Sequence, residues 1–420
     1  MQWKPFEGAW LKRLGPGLIT GAADDDPSGI ATYSQAGAQF GFNMLWTAFF
    51  TYPFMVAIQL VSAEIGRVSG HGLATNMRRH YPGWLLYSIV GLLLVANTIN
   101  IAADISAMGE ALKLIAGGPA TVYALGFGIA SLLLQVFIPY TRYVRILKWL
   151  TLTLLAYVAT VFVQHTPWTQ VLTSMLVPQI LWKPEYITTV VAVFGTTISP
   201  YLFFWQASQE VEEQLADPLA RALVDAPEQA RGNLQRIEWD TLTGMAFSNL
   251  VAFSIILTTA VTLNLHGLTD IQTSAQAATA LRPIAGEFAF LLFSAGIIGT
   301  GMLAVPVLAG SCAFAMAGAF QWQNSLERTP AQAKQFYGVI VVSTVIGMLM
   351  GFTDIDPIKA LYWSAVINGI VSVPIMVVMM LMAARPDVMG RFVIGSRLKL
   401  MGWLATLMMG TVVLAMFFVQ

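Results

Sequence analysis

Three carboxylates stand side by side at Asp24, Asp25 and Asp26, and Pro27, Ser28 and Gly29 follow at once. The residues on either side, LGPGLITGAA before them and most of the run after Phe42, are apolar. A second break of the same kind lies far along the chain, GTTISPY at 195–201. Proline has no N–H to donate, and its ring clashes with the carbonyl one turn back. Each break therefore frees backbone carbonyls, here near residues 22–25 (Ala23 among them) and 196–198 (Ile198 among them), and a freed polar group in hydrocarbon costs several kcal/mol unless something satisfies it. Such backbone persists where it lines a cavity or binds an ion. Carbonyl, carboxylate and hydroxyl oxygens are the donor set of hard divalent cations. Asp26 sits at the first break and Ser199 at the second, and these are the expected metal ligands. The three acids cannot all serve one site, because positions two apart on a helix point about 200° from each other. Asp24 and Asp25 are expected to face neighbouring helices or an aqueous vestibule.

Hydrophobic residues make up 56% of the 420 and charged residues 10%, where a soluble domain carries about 25% charged. The solvent implied is lipid. Acids and bases balance at 22 each, which leaves no electrostatic footprint for nucleic acid. Cys312 is the single cysteine, so an internal disulfide and a cysteine metal cluster are excluded. The four histidines, His71, His80, His165 and His266, fall in links or at span ends. No His-Glu-x-x-His or nucleophile–base pair lies in the spans, which argues against a membrane enzyme. No cofactor and no obligatory protein partner are expected.

Apolar runs of membrane-crossing length, about 20 residues, lie near 15–40, 44–66, 84–112, 120–139, 146–164, 187–209, 243–264, 284–320, 336–353, 357–383 and 398–419. The longest polar link, 209–240, holds eight acids and three arginines and is expected outside the membrane with a short amphipathic helix. With the N-terminus inside, only Lys113, Lys183, Arg282 and Lys359 of the 22 basic residues fall outside. This bias orients the chain with a cytoplasmic N-terminus in the plasma or inner membrane. The breaks fall in the first and sixth spans. Counting the first, five spans precede the second break, an odd number, so the second set of five enters from the opposite side. That is the pattern of an inverted repeat with two discontinuous helices meeting at the midplane: repeat one over about 14–165, repeat two over about 187–383, and an added helix over about 398–419, in a single all-α transporter domain, 1–420. A channel would share a polar pore, but paired broken helices favour a carrier.

The first span continues GIATYSQAGAQFG, and the second ends EIGRVSGHGL. These segments, with GTTISPYLFFWQAS at the sixth, resemble the Nramp family of divalent metal transporters over nearly the whole chain. The resemblance implies a LeuT-type fold, secondary transport by alternating access, and a metal-binding aspartate at Asp26. The departures are specific. The family's asparagine is Gly29 here, its sixth-helix methionine is Ser199, and its two histidines are Tyr201 and Gln206. A thioether is a soft ligand, and its loss removes the basis for preferring Mn²⁺ or Fe²⁺ over Mg²⁺. Asp104 matches the third-helix aspartate, but the family's next glutamate is Ala107. Glu110 does not replace it, lying about 120° round the helix. Family-type proton coupling is therefore expected to be weak or absent. Gly29 and Ser199 suggest a wide site for a hydrated, hard cation, as in the Nramp-related magnesium transporters. The alternative is a divergent branch that carries a different solute.

Other polar residues in the spans are candidates for the pathway or coupling: Asn97, Asn100, Asp104, Thr196, Thr197 and Asn368. Asn368 and Ser372 share a face of the tenth span, which Trp363 and Ser364 also interrupt. Tyr201 and Trp205 can wall the pocket. Glu64 lies a turn from Arg67 and is expected to pair with it.

Overall fold

The computed structural model describes residues 16–138, 150–326, 328–352 and 356–419. Every described regular element is helical. The first span is two half-helices, α1 (Pro16–Asp24) and α2 (Pro27–Phe40). There follow α3 (Leu45–Ser69), α4 (Leu73–His80), α5 (Gly83–Ala116), α6 (Ala120–Phe137), α7 (Leu155–Val163) and α8 (Trp168–Leu176). The sixth span is again divided, into α9 (Pro184–Thr197) and α10 (Pro200–Ala216). The remainder is α11 (Ala230–Thr262), α12 (Ala289–Phe320), α13 (Lys334–Met350), α14 (Pro357–Ala383) and α15 (Ser396–Val419).

Each expected span has a helix at its place, although 146–149 lie outside the described residues. Both breaks fall where proline put them. Pro27 and Pro200 open their helices at the first position, where the missing N–H is no loss. The long polar link is shorter than expected. Helix α10 runs on to Ala216 and α11 starts at Ala230, so the amphipathic residues extend two spans. Between them lies a single 3-10 turn, Pro227–Gln229. The short helices between α11 and α12, and α8, have no counterpart in the sequence reading; they are too short for the hydropathy of a span.

Polarity is arranged as lipid demands. Large apolar side chains such as Trp84, Val122, Phe137, Phe162, Leu349 and Phe418 are exposed. Asp24, Asp25, Asp26, Asn97, Asn100 and Asp104 are buried. Among the described residues, eight helical segments are long and apolar enough to cross a membrane, and the chain is a multi-pass membrane protein. The packing has the two-fold pattern of the repeats. The first span packs on the seventh (α1 and α2 on α11), as the sixth packs on the second (α10 on α3). The third and eighth spans, α5 and α12, pack against each other along their length. Close approach beside the second break depends on two glycines. A Cβ at Gly195 of α9 would collide with the Ala365 carbonyl of α14, and one at Gly369 would lie 2.8 Å from the Val191 carbonyl oxygen.

Candidate functional site

Asp26 is the N-cap of α2, with extended backbone. Its Oδ1 accepts the Gly29 N–H at 2.7 Å and the Ser28 hydroxyl at 2.6 Å. The carboxylate thus starts the half-helix that Pro27 pre-shapes. Its Oδ2 accepts from Asn100 Nδ2 of α5 at 2.9 Å, and Asn100 Oδ1 accepts from the Ser364 hydroxyl of α14 at 2.7 Å. One hydrogen-bonded line therefore joins the first break to the third and tenth spans. Asp26, Asn100 and Ser364 are at most 1% exposed.

The freed carbonyls are also engaged. The Tyr201 hydroxyl of α10 donates to the Ala23 carbonyl at 3.0 Å, tying the two broken spans together. Ser199 turns its hydroxyl back onto the Gly195 and Thr196 carbonyls, both at 2.8 Å. Thr197 donates to Val193 O and meets the Tyr33 hydroxyl at 3.0 Å. Ile198 is buried at the second break, its N–H on Phe194 O. The room expected beside Gly29 is taken in this conformation: a Cβ there would lie 3.2 Å from Thr196 Oγ1 and 3.4 Å from the Tyr33 ring.

Asp24 and Asp25 turn to α11, where the Ser248 hydroxyl reaches both carboxylates. Asp104 lies one turn beyond Asn100 on α5, fully buried, with neither oxygen hydrogen-bonded. Asn368 is likewise buried with both side-chain polar atoms unpartnered, while Ser372 bonds back to Gly369 O. Trp205 packs on Gly310 and edge-on to Phe314. Trp363 is exposed. Ser28 and Ser364 escaped the sequence reading as site residues. The capping position two after Asp26, and the one-turn spacing of Ser364 to Asn368, were the signals available.

A second polar group closes the end of the bundle where α1 begins. Gly17 N–H donates to Asp240 Oδ2 of α11 at 2.7 Å. Thr20 donates to Gln206 Oε1 of α10, and Gln206 Nε2 lies 3.4 Å from Glu210 Oε1. The fully buried Glu210 pairs with Arg236 of α11, which also meets Glu213 at 3.0 Å. The Glu64–Arg67 pair is not formed. Glu64 instead lines a surface cavity with Glu238, because the turn of α3 points its carboxylate to α11.

Two helices broken at repeat-related prolines, crossed by spans three, eight and ten around the buried Asp26, define a LeuT-type membrane transporter. The Natural resistance-associated macrophage protein-like (Nramp) family matches residues 17–419. The chain belongs to that family and is a metal transporter by family and fold. The crystal structure of the Eremococcus coleocola manganese transporter, with an aromatic bis-isothiourea substituted compound, superposes with TM-score 0.72 at 15% identity, covering 99% of this chain and 88% of that one. MhsT in complex with L-phenylalanine gives TM-score 0.63 at 13% identity, covering 96% and 98%. Mhp1, a nucleobase-cation-symport-1 family transporter in a closed conformation, gives 0.52 at 14%, covering 97% and 92%. At these identities the likeness is one of fold.

Proposed function

We propose that the chain carries a hard divalent cation, Mg²⁺ or one similar, by alternating access, with weak or absent proton coupling. The observation that supports this is the donor set at the break. Asp26 is ringed by Ser28, Gly29 and Asn100, all oxygen or nitrogen groups, and the thioether position of the family is Ser199. A donor set without sulfur gives no soft-ligand advantage to Mn²⁺, the ion named for the Eremococcus coleocola neighbour, over Mg²⁺. In the present closed arrangement Ser28 and Asn100 donate to the carboxylate where a cation would draw on it. Rotating the Asn100 amide by half a turn presents Oδ1 to the ion and Nδ2 to Ser364, so the same residues fit a loaded site. Rotation of Ser199 and release of Ala23 O by Tyr201 would add one oxygen from each break. Asp104, Thr197 and Asn368 border the route, and Asp104 lacks the second carboxylate of a proton relay.

The chain is read as one transporter unit with its N-terminus cytoplasmic in the plasma or inner membrane. The rival reading, a different solute, draws on the satisfaction of Asp26 by its own neighbours. The test is reconstitution in liposomes with internal Mg²⁺ and Mn²⁺ dyes, with and without a pH gradient. Mg²⁺ entry that needs Asp26 and leaves internal pH unchanged supports the proposal. Silence for both ions from folded protein supports the rival.

A further inference from the structure

A cavity of about 550 Å³ lies at the surface between α3, α11 and α15, away from the broken helices. Its wall on α3 is the stripe Pro53, Val56, Ala57, Leu60 and Glu64. This spacing is one helix face, and at about 1.5 Å per residue it is about 16 Å long, close to half of a hydrocarbon core of about 30 Å. The deep end is apolar and closed by the Tyr52 hydroxyl on the Leu242 carbonyl. The other end is charged: Glu64 from α3, Glu238 from α11 and Arg397 from α15. The three helices run so that these residues come to the same end. Glu64 and Glu238 are near enough to repel each other, and among the described residues neither has an ion-pair partner.

We infer that this trough holds one phospholipid with an ethanolamine headgroup, its acyl chain along α3 and its headgroup between the carboxylates and Arg397. The chemistry selects among headgroups. Two facing carboxylates ask for a cation that donates hydrogen bonds. A primary ammonium does so and a quaternary one does not. The arginine takes the phosphate that lies next to the ammonium in the same molecule. A glycerol headgroup offers no positive charge to Glu64 and Glu238. A serine headgroup adds a carboxylate that they repel. The inference is independent of which ion is carried.

The test is native mass spectrometry of the purified full chain in detergent, titrated separately with dioleoyl phosphatidylethanolamine, phosphatidylcholine and phosphatidylglycerol. One ethanolamine lipid is expected to be retained about tenfold more tightly than the other two, the scale of one charge-assisted hydrogen bond. The double variant Glu64→Gln with Glu238→Gln is expected to lose that preference and keep the basal retention of the choline lipid. Leu60→Trp, which fills the trough, is expected to lose saturable retention of all three. Equal retention of the lipids by the wild-type chain overturns the inference without any variant. So does an undiminished preference in the double variant, or a dimer that forms in place of the lipid adduct.

Discussion

Removing the Asp26 carboxylate in two ways separates its two duties. Asp26→Asn keeps an oxygen for the Gly29 N–H and the Ser28 hydroxyl, which now sit at 2.7 and 2.6 Å. Asparagine caps a helix as well as aspartate. The Asn100 amide must turn over to meet the new NH₂, and Ser364 can donate or accept to suit. The expected loss of stability is under about 1 kcal/mol. Asp26→Ala removes the cap, about 0.5–2 kcal/mol, and strands the buried Asn100 donor, about 1–3 kcal/mol. The two variants should therefore differ by about 2 kcal/mol or more. Transport should fall in both. Loss of an outer-shell partner already costs a metal site about 10–100-fold, and loss of a charged ligand at least the upper figure. Thermal melting in detergent and Mg²⁺ uptake into liposomes read the two effects apart. Uptake by folded Asp26→Asn at the wild-type rate would refute the site. An Asp26→Ala protein that melts no lower than Asp26→Asn would refute the capping argument.

Ser199→Met places a thioether at the second break and removes the hydroxyl from Gly195 and Thr196 O. The Mg²⁺/Mn²⁺ uptake ratio should shift toward Mn²⁺, and an unchanged ratio would set Ser199 apart from the ion. Asn100→Leu should leave Asp26 Oδ2 short of a donor and cost about 1–3 kcal/mol in a melting assay, while the Ser364 hydroxyl keeps its second acceptor, Leu361 O; a melt equal to wild type would remove Asn100 as the partner of Asp26. Gly195→Ala should destabilise by about 1–3 kcal/mol through overpacking of α9 on α14, and a melt equal to wild type would count against the close approach described. Arg236→Gln should cost about 3–5 kcal/mol, because it leaves Glu210, 0% exposed, without its counter-charge. Glu210→Gln introduced with it should restore much of the loss, and failure of that rescue would remove the ion pair as the cause.

The architecture was legible because its signals are local and strong. Length and apolarity mark a span, and proline with small or polar neighbours marks a break. Both breaks fell on Pro27 and Pro200, and Asp26 stands at the first of them. What could not be read from the chain was the hydrogen-bond partner of each polar atom. Ser199 and Thr197 share their hydroxyls with carbonyls of their own helix, a choice made by rotamer and not by sequence. Ser364 comes to Asn100 across 264 positions, and no periodicity reports such a meeting. Glycine at 29 suggested space, but the space belongs to whichever neighbour leans in, here Thr196 and Tyr33. Glu64 was paired with Arg67 by proximity along the helix, whereas the packing of α11 and α15 decided where it points.

The polar group around Glu210 bears on how the carrier can move. Glu210 receives Arg236 and faces Gln206, Gln206 receives Thr20, and Asp240 holds the Gly17 N–H. A break at any one link leaves a buried charge or donor stranded while the others hold. Letting all go together exposes them to water at once. The start of α1 is therefore held cooperatively, all links together or none. Its departure from α10 and α11 should be a single activated event with a steep dependence on temperature, and exchange across the membrane should advance in discrete steps.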